Sequence, residues 1–182
     1  MSSAGEYTYK YPRPGMTVDT AIVAKPSGKD PAQILLIKRG KPPCEGSWAL
    51  PGGFVDENEP LVSAAARELK EETGLDAGEA YLTQVGAFGD PGRDPRGWTI
   101  SVTYAALVPG SSSVKGADDA AEAQWFALSE VPTQLAFDHK LLIRSVFEKL
   151  QSSSDASSSD DLRKSLQAGA KRLEGPWEPP KE

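Results

Sequence analysis

Short apolar runs, rich in β-branched and aromatic side chains, alternate with polar segments along most of the chain. Such runs are typical of strands, and five strands are predicted: 17–24, 33–38, 81–88, 98–108 and 124–128. The first two are separated by a polar turn and are expected to form a hairpin. Two further segments, 60–73 and 138–150, repeat apolar residues at helical spacing and predict two helices. The order of strands and helices is mixed rather than strictly alternating.

The helix predicted over 60–73 carries acidic residues beside its apolar stripe. At about 100° per residue, Glu68, Glu71 and Glu72 fall within an arc of about 100°. Three close carboxylates repel one another unless a cation neutralises them. Mg²⁺ or Mn²⁺ prefers oxygen ligands of this kind. A solvated acidic face is the alternative for an isolated Glu-Glu pair, and the spacing of the surrounding residues favours the metal site.

Composition narrows the class of protein. The chain has 182 residues, of which 38% are hydrophobic and 25% charged, which suits one globular domain with modest extensions. The net charge of −6 argues against nonspecific binding to nucleic acid or to an anionic membrane. The single Cys44 excludes an internal disulfide and fits a reducing compartment. No signal, transit or membrane-spanning pattern is visible, so a cytoplasmic location is predicted, and a nuclear one is equally compatible.

The stretch from residue 53 to 75 has a specific spacing. Its fixed positions are a glycine, a glutamate after five residues, an Arg-Glu-Leu triplet after seven more, a Glu pair and a Gly-Leu pair: Gly53, Glu59, Arg67-Glu68-Leu69, Glu71-Glu72 and Gly74-Leu75. This stretch resembles the Nudix box. The resemblance implies an α/β fold, a Nudix-type α/β/α sandwich with a mixed sheet. It also implies metal-dependent hydrolysis of a nucleoside diphosphate linked to another group.

The resemblance assigns roles to individual residues. Glu68, Glu71 and Glu72 are expected to bind the metal, together with a main-chain carbonyl of Gly52 or Gly53, for which Gly53 is chosen. Glu71 and Glu72 are also predicted to be catalytic, together with Arg67 and Glu122. Arg67 has two candidate partners, Glu71 within the helix and Glu59 ahead of it.

Nudix enzymes often take a general base from the loop before the last strand. That loop offers three carboxylates here, Asp118, Asp119 and Glu122, and Glu122 is chosen because it lies nearest the strand. The only histidine, His139, is expected to be structural. Trp48, in the Ser47–Gly53 lead-in to the box, is expected to pack rather than to stack on a ligand.

Residues outside the box indicate the substrate. Pro91 lies sixteen residues after Leu75, a spacing that resembles the ADP-ribose pyrophosphatases. Arg93 and Arg96 in the same loop are predicted to clamp the diphosphate or the terminal ribose, and Arg39 is predicted to lie beside the phosphates. The expected reaction converts ADP-ribose to AMP and ribose 5-phosphate with Mg²⁺, or Mn²⁺ as the alternative ion. The protein is expected to act on a small-molecule nucleotide, with no nucleic-acid or membrane partner, and a homodimer is possible.

Two other functions stay open. One is a broad nucleotide-sugar or sanitising nucleotide pyrophosphatase. The other is a non-catalytic sensor of ADP-ribose, because some ADP-ribose-binding transcription regulators share the loop around Pro91 and the Asp138-His139 segment. The intact box favours an enzyme.

The predicted organisation has three parts: an N-terminal arm over 1–15, the hydrolase domain over 16–150 and a flexible Ser/Asp-rich tail over 151–182. The arm alternates tyrosines and is compatible with a short edge strand. The tail contains few apolar residues, so a disordered segment is favoured over one marginal helix or docking of Trp177 on the core.

Overall fold

A computed structural model describes residues 7–25, 30–76, 78, 81–153 and 159–177. Its seven strands are β1 (Gly15–Ala24), β2 (Gln33–Arg39), β3 (Trp48–Ala49), β4 (Gly52–Phe54), β5 (Thr83–Phe88), β6 (Thr99–Val108) and β7 (Ala120–Ala127). Its α-helices are α1 (Leu61–Thr73), α2 (His139–Gln151) and α3 (Asp160–Arg172), and a 3₁₀ turn at Leu128–Glu130 follows β7. In this part of the chain, no helix is long and apolar enough to cross a membrane.

The strands form one mixed sheet around β1. The strand order is β3-β2-β1-β6-β5, with β4 paired to β1 and β7 paired to β2. β1 runs parallel to β6 along its whole length and antiparallel to β2, as the predicted hairpin requires. β4 pairs with the first half of β1 and β2 with its end, so the two neighbours occupy different stretches of the same edge.

Helices cover both faces of the sheet because β1 and β2 are apolar on both sides. Successive side chains of a strand point to opposite faces. Ala21 and Val23 belong to the apolar cluster that contains α2 and α3, whereas Val18 and Ile22 pack in the clusters that contain α1. The predicted α/β/α sandwich with a mixed sheet is confirmed.

The structure differs from the predicted elements at several points. The last strand begins at Ala120 rather than residue 124, and β3 and β4 were not predicted because two or three residues show no periodicity. Residues 7–14 form no strand and are largely exposed. The start of the predicted arm, 1–6, and part of the first turn, 26–29, lie outside the described residues, as do 154–158 and 178–182 of the predicted tail.

The largest difference lies in the predicted flexible tail. Residues 160–172 form helix α3, and Ser159 caps it by accepting a hydrogen bond from the Leu162 N–H at 3.3 Å. Leu162, Leu166 and Leu173 are completely buried in the same cluster as α2. The apolar residues of this segment are few, but they share one helical face, so average composition underestimated its capacity to pack.

Candidate active site

The two glycines of β4 bring the backbone against α1. The Gly52 N–H donates to Glu72 Oε2 at 2.9 Å. A Cβ atom added at Gly52 would lie 2.1 Å from the Val18 carbonyl oxygen, and one at Gly53 would lie 2.4 Å from Glu68 Oε1. Neither position tolerates a side chain without displacing backbone or carboxylate. The lead-in therefore places main-chain polar groups next to the carboxylates of α1.

Glu72 is the most enclosed of the three predicted metal ligands. Burial raises the pKa of its carboxyl group to about 8, and the nearby charges of Glu68 and Asp19 act in the same direction. The hydrogen bond from Gly52 opposes that shift. Burial also raises the pKa of Glu68. A buried carboxylate with like-charged neighbours favours a proton or a cation beside it.

Arg67 organises the remaining acidic groups. Its guanidinium donates from Nε and Nη2 to Glu59 at 2.8 Å each, and from Nη1 to Glu68 at 2.8 Å and to Glu71 at 3.1 Å. Arg67 therefore forms hydrogen bonds with both of its candidate partners, Glu59 and Glu71. This bidentate pairing lowers the pKa of Glu59 to about 2. We call Glu59, Arg67, Glu68, Glu71 and Glu72 the α1 cluster.

The donor set of the α1 cluster fits a hard divalent cation. Glu68 and Glu72 supply carboxylate oxygens with raised pKa values beside the glycine backbone of β4, and Glu71 lies at the exposed side of the same helix. Across the described ranges, no three acidic, histidine or cysteine side chains are arranged to hold an ion as they stand. In this arrangement Arg67 contacts two of the three predicted ligands.

A small cavity of about 40 Å³ opens beside β4. Three arginines, two aspartates and the paired glycines contribute to its lining: Arg39, Arg93, Arg96, Asp19, Asp94, Gly52 and Gly53. We call it the arginine cavity. Burial lowers the pKa of Arg39, and the charge of Arg96 lowers it further. Guanidinium groups that repel one another in a half-buried site favour an anionic ligand.

The arginines of the cavity are held in different ways. Arg39 Nε donates to the Pro43 carbonyl at 2.8 Å, and Arg96 Nη2 pairs with Asp94 at 2.7 Å. Arg93 is buried and donates to both oxygens of Asp138 at 2.8 and 2.7 Å. Arg93 thereby fixes its loop to the start of α2. Arg39 and Arg96 instead lie against the ring of one aromatic residue.

That aromatic residue is Phe137. The Cζ atoms of Arg39 and Arg96 lie 4.9 and 5.3 Å from its ring centroid, within the range of cation–π contacts. Arg96 also lies 5.0 Å from the ring of Phe54. Pro91 is exposed and does not contribute to the cavity lining. Of the four predicted substrate contacts, the structure brings the three arginines together and leaves Pro91 outside.

The three carboxylates considered as general base lie in different surroundings. Glu122 lies within β7, half-exposed, with an oxygen 3.9 Å from Lys38 Nζ. Asp119 pairs with Lys41. Asp118 has a left-handed backbone, with φ of 53°, and its charge contributes to the raised pKa of Glu68. The charge of Asp118 therefore acts on the α1 cluster.

His139 contacts the backbone of the segment that precedes the paired glycines of β4. It is buried, its Nδ1 accepts a hydrogen bond from the Leu50 N–H at 2.9 Å, and its Nε2 lies 3.4 Å from Asp19 Oδ1. Burial lowers the pKa of His139, so the neutral ring with a proton on Nε2 fits both contacts. Asp19 also accepts from the Ser101 hydroxyl. These contacts show the structural role predicted for the histidine.

Sequence reasoning missed Asp19, Phe137 and the pairing role of Asp138. Their partners lie far away along the chain. Asp138 is the N-cap residue of α2, yet its side chain makes no capping hydrogen bond. A signal existed in the Asp138-His139 segment, which some ADP-ribose-binding transcription regulators share. Trp48 packs edge-to-face on Phe126, with ring centroids 4.8 Å apart, as predicted.

The sequence matches the NUDIX domain family over residues 16–146. The match spans more than half of the chain and includes the α1 cluster and the arginine cavity. The protein belongs to the NUDIX family. Members of this family generally use divalent metal ions.

Two individual relatives are similar to most of this chain. The chain is 43% identical over 134 residues to an ADP-ribose pyrophosphatase of Methanocaldococcus jannaschii, covering 74% of this chain and 73% of that protein. It is 41% identical over 143 residues to the ADPR responsive transcriptional repressor NtrR of Acinetobacter baylyi, covering 77% of this chain but only 56% of the repressor.

A solved structure shows the same fold with a ligand. The NUDIX domain of Shewanella oneidensis NrtR, complexed with ADP ribose, superposes with a TM-score of 0.69 at 32% identity. The superposition covers 77% of this chain and 90% of that domain. The relatives thus include an ADP-ribose pyrophosphatase and an ADPR responsive repressor, and the solved NUDIX domain holds ADP ribose.

Proposed function

We propose that the protein is a Nudix pyrophosphohydrolase that converts ADP-ribose to AMP and ribose 5-phosphate, with Mg²⁺ as the working ion and Mn²⁺ as an alternative. The observation that carries this proposal is the juxtaposition of the α1 cluster and the arginine cavity at the paired glycines of β4. An ADP-ribose pyrophosphatase with 43% identity supports the choice of substrate.

The chain's own residues supply positioning and charge. Arg39 and Arg96 line the cavity with their guanidinium groups and are suited to bind the diphosphate. Gly53, Glu68, Glu71 and Glu72 are the residues that would hold the cation. When bound, the cation neutralises phosphate charge and acidifies the attacking water. Arg67 holds Glu68 and Glu71 in place through direct hydrogen bonds.

The carboxylate that accepts the proton of the attacking water need not lie in α1. Asp118 is the stronger candidate because its charge acts on Glu68, and because the backbone of its loop bonds α1 through Ala117 N–H to the Glu72 carbonyl at 3.1 Å. Glu122 is the alternative. Asp118→Asn and Glu122→Gln separate the two, and only the base variant is expected to lower kcat by about 10²-fold or more.

A substrate panel tests the proposal. The protein is incubated with Mg²⁺ and ADP-ribose, NADH, ADP-glucose or oxidised nucleoside triphosphates, and the release of the nucleoside monophosphate is quantified. ADP-ribose is expected to be hydrolysed fastest. Equal rates on all substrates would contradict the ADP-ribose assignment and favour a broad nucleotide-sugar or sanitising pyrophosphatase.

A second function has its own support. The 41% identity with an ADP-ribose-responsive repressor favours an ADP-ribose sensor as the alternative. Thermal stabilisation by ADP-ribose without any release of AMP identifies the sensor. The net charge of −6 supports a small-molecule ligand rather than DNA as the partner of this chain. A gel-shift assay with nonspecific duplex DNA and light scattering test the absence of DNA binding and the proposed homodimer.

A further inference from the structure

The end of the described chain reaches the arginine cavity. The indole Nε1–H of Trp177 donates to the carbonyl oxygen of Phe137 at 2.6 Å. Trp177 lies outside the matched NUDIX region, which ends at residue 146. Phe137 lines the cavity, and its ring lies against Arg39 and Arg96. One hydrogen bond therefore connects the C-terminal segment to Phe137, whose ring contacts two arginines.

Helix α3 makes this contact possible by docking firmly on the domain. Its buried face packs on α2, and a Cβ at Gly169 would lie 2.7 Å from the Phe147 ring and 3.1 Å from the Leu128 carbonyl oxygen. Arg172 Nε donates to the Val131 carbonyl at 2.7 Å. The close approach at Gly169 and the bond from Arg172 fix the end of α3, five residues before Trp177.

Phe137 requires such support. Its φ of 50° lies in the left-handed region, which is unfavourable for a residue with a bulky side chain. The flanking backbone is held by the bonds from Ala136 N–H to the Trp48 carbonyl and from His139 N–H to the Ala136 carbonyl. The indole of Trp177 adds a bond to the carbonyl of Phe137 itself, which helps to fix the direction of the ring.

We propose that Trp177 is a positioning residue for substrate binding: it holds Phe137 so that its ring presents Arg39 and Arg96 to the diphosphate of the substrate. The C-terminal segment is then part of the binding site rather than an appendage. This inference rests on the proposed function for the identity of the substrate, but only on the arginine cavity for the binding of a diphosphate group.

Trp177→Phe tests the proposal because it keeps an aromatic ring and removes the indole N–H. Loss of one net hydrogen bond is expected to raise KM for ADP-ribose about 3- to 10-fold, with kcat within about twofold of wild type. Trp125→Phe is the matched control. Trp125 Nε1 donates to the Ser112 carbonyl at 2.8 Å, an equivalent bond, and Trp125 does not line the cavity.

A double-mutant cycle distinguishes positioning from a general loss of stability. Phe137→Leu removes the ring but keeps the carbonyl that accepts from Trp177. If Trp177 acts through the ring, Trp177→Phe has little further effect on KM in the Phe137→Leu background. Independent, multiplicative effects of the two substitutions on KM would overturn the proposal.

Binding of inorganic diphosphate, measured in the presence of a chelator, separates this inference from the proposed enzymatic function. The expected result is weaker binding by the Trp177→Phe variant, about 3- to 10-fold, and unchanged binding by the Trp125→Phe variant. This result supports the inference even if wild type does not hydrolyse ADP-ribose, in which case only the proposed function fails. Equal binding by wild type and Trp177→Phe, or no binding by wild type, overturns the inference.

Discussion

The α1 cluster and the arginine cavity meet at the same pair of glycines but are built from different stretches of chain. The members of the α1 cluster lie within fourteen residues of one another, from Glu59 to Glu72. The arginine cavity takes Asp19 from β1, Arg39 from the end of β2, Arg96 from the loop before β6 and Phe137 from the approach to α2. Local spacing determines the first, and tertiary packing determines the second.

The two regions differ in how readily they can be recognised from the sequence. Helical geometry converts the spacing of Glu68, Glu71 and Glu72 into a shared surface, so the cluster is visible in sequence. No spacing rule links Arg93 to Asp138, which lie 45 residues apart and pair only in the fold. Substitutions in the α1 cluster should therefore lower turnover, whereas substitutions in the arginine cavity should lower stability and ligand affinity.

The largest effect is expected in the α1 cluster. Glu72→Gln should lower kcat for ADP-ribose by about 10³-fold or more, because it removes a charge needed for the cation. The amide oxygen can still accept from the Gly52 N–H, so thermal unfolding should show an intact fold. Wild-type turnover by this variant with Mg²⁺ would contradict the assignment of Glu72 as a metal ligand.

Stability should depend more on the arginine cavity. Asp138→Asn leaves the guanidinium of Arg93 buried without its counter-charge, and it is expected to lower the free energy of unfolding by about 3 kcal/mol in chemical denaturation. Asp76→Asn is the matched control, since it removes the exposed pair with Lys70 and should change stability very little. Equal effects of the two substitutions would show that the buried pair does not anchor the loop.

A backbone variant tests the contact between the two regions. Gly53→Ala places a Cβ 2.4 Å from Glu68 Oε1 and should displace that carboxylate, with activity lower by about 10- to 100-fold. Gly110→Ala is the control, because nothing lies within 4 Å of the added Cβ. Full activity of Gly53→Ala would mean that Glu68 need not keep its present position.

The smallest effect concerns the pH dependence of the α1 cluster. The folded-state pKa of Glu59 is about 2, below its ordinary value of 4.5, so its contribution to stability is present above pH 4.5 and is lost as pH falls toward 2. Glu59→Gln should lower the free energy of unfolding by about 1 kcal/mol at pH 7. At pH 3 the gap from wild type should narrow, and a gap of constant size would contradict the assigned pairing with Arg67.

The helix of the box was predicted correctly from its periodicity, and the sandwich was predicted correctly through the family resemblance that the box carries. The sequence favoured a disordered segment over the helix that α3 forms, since Leu162, Leu166 and Leu173 are diluted by serine and charge. The choice of Glu122 depended on where β7 begins. Glu122 lies inside β7 with an oxygen 3.9 Å from Lys38 Nζ, whereas Asp118 precedes the strand in a left-handed turn. Strand boundaries and long-range pairs are set by the whole fold.

We propose that the α1 cluster carries out metal-dependent hydrolysis of ADP-ribose. The most direct test of this proposal measures AMP release from ADP-ribose by the full chain after treatment with a chelator and again after Mg²⁺ is restored. The expected result is no release with the chelator and recovery with Mg²⁺ in wild type, and no recovery in Glu72→Gln. AMP release that continues in the chelator, or fails to recover in wild type, would contradict the account.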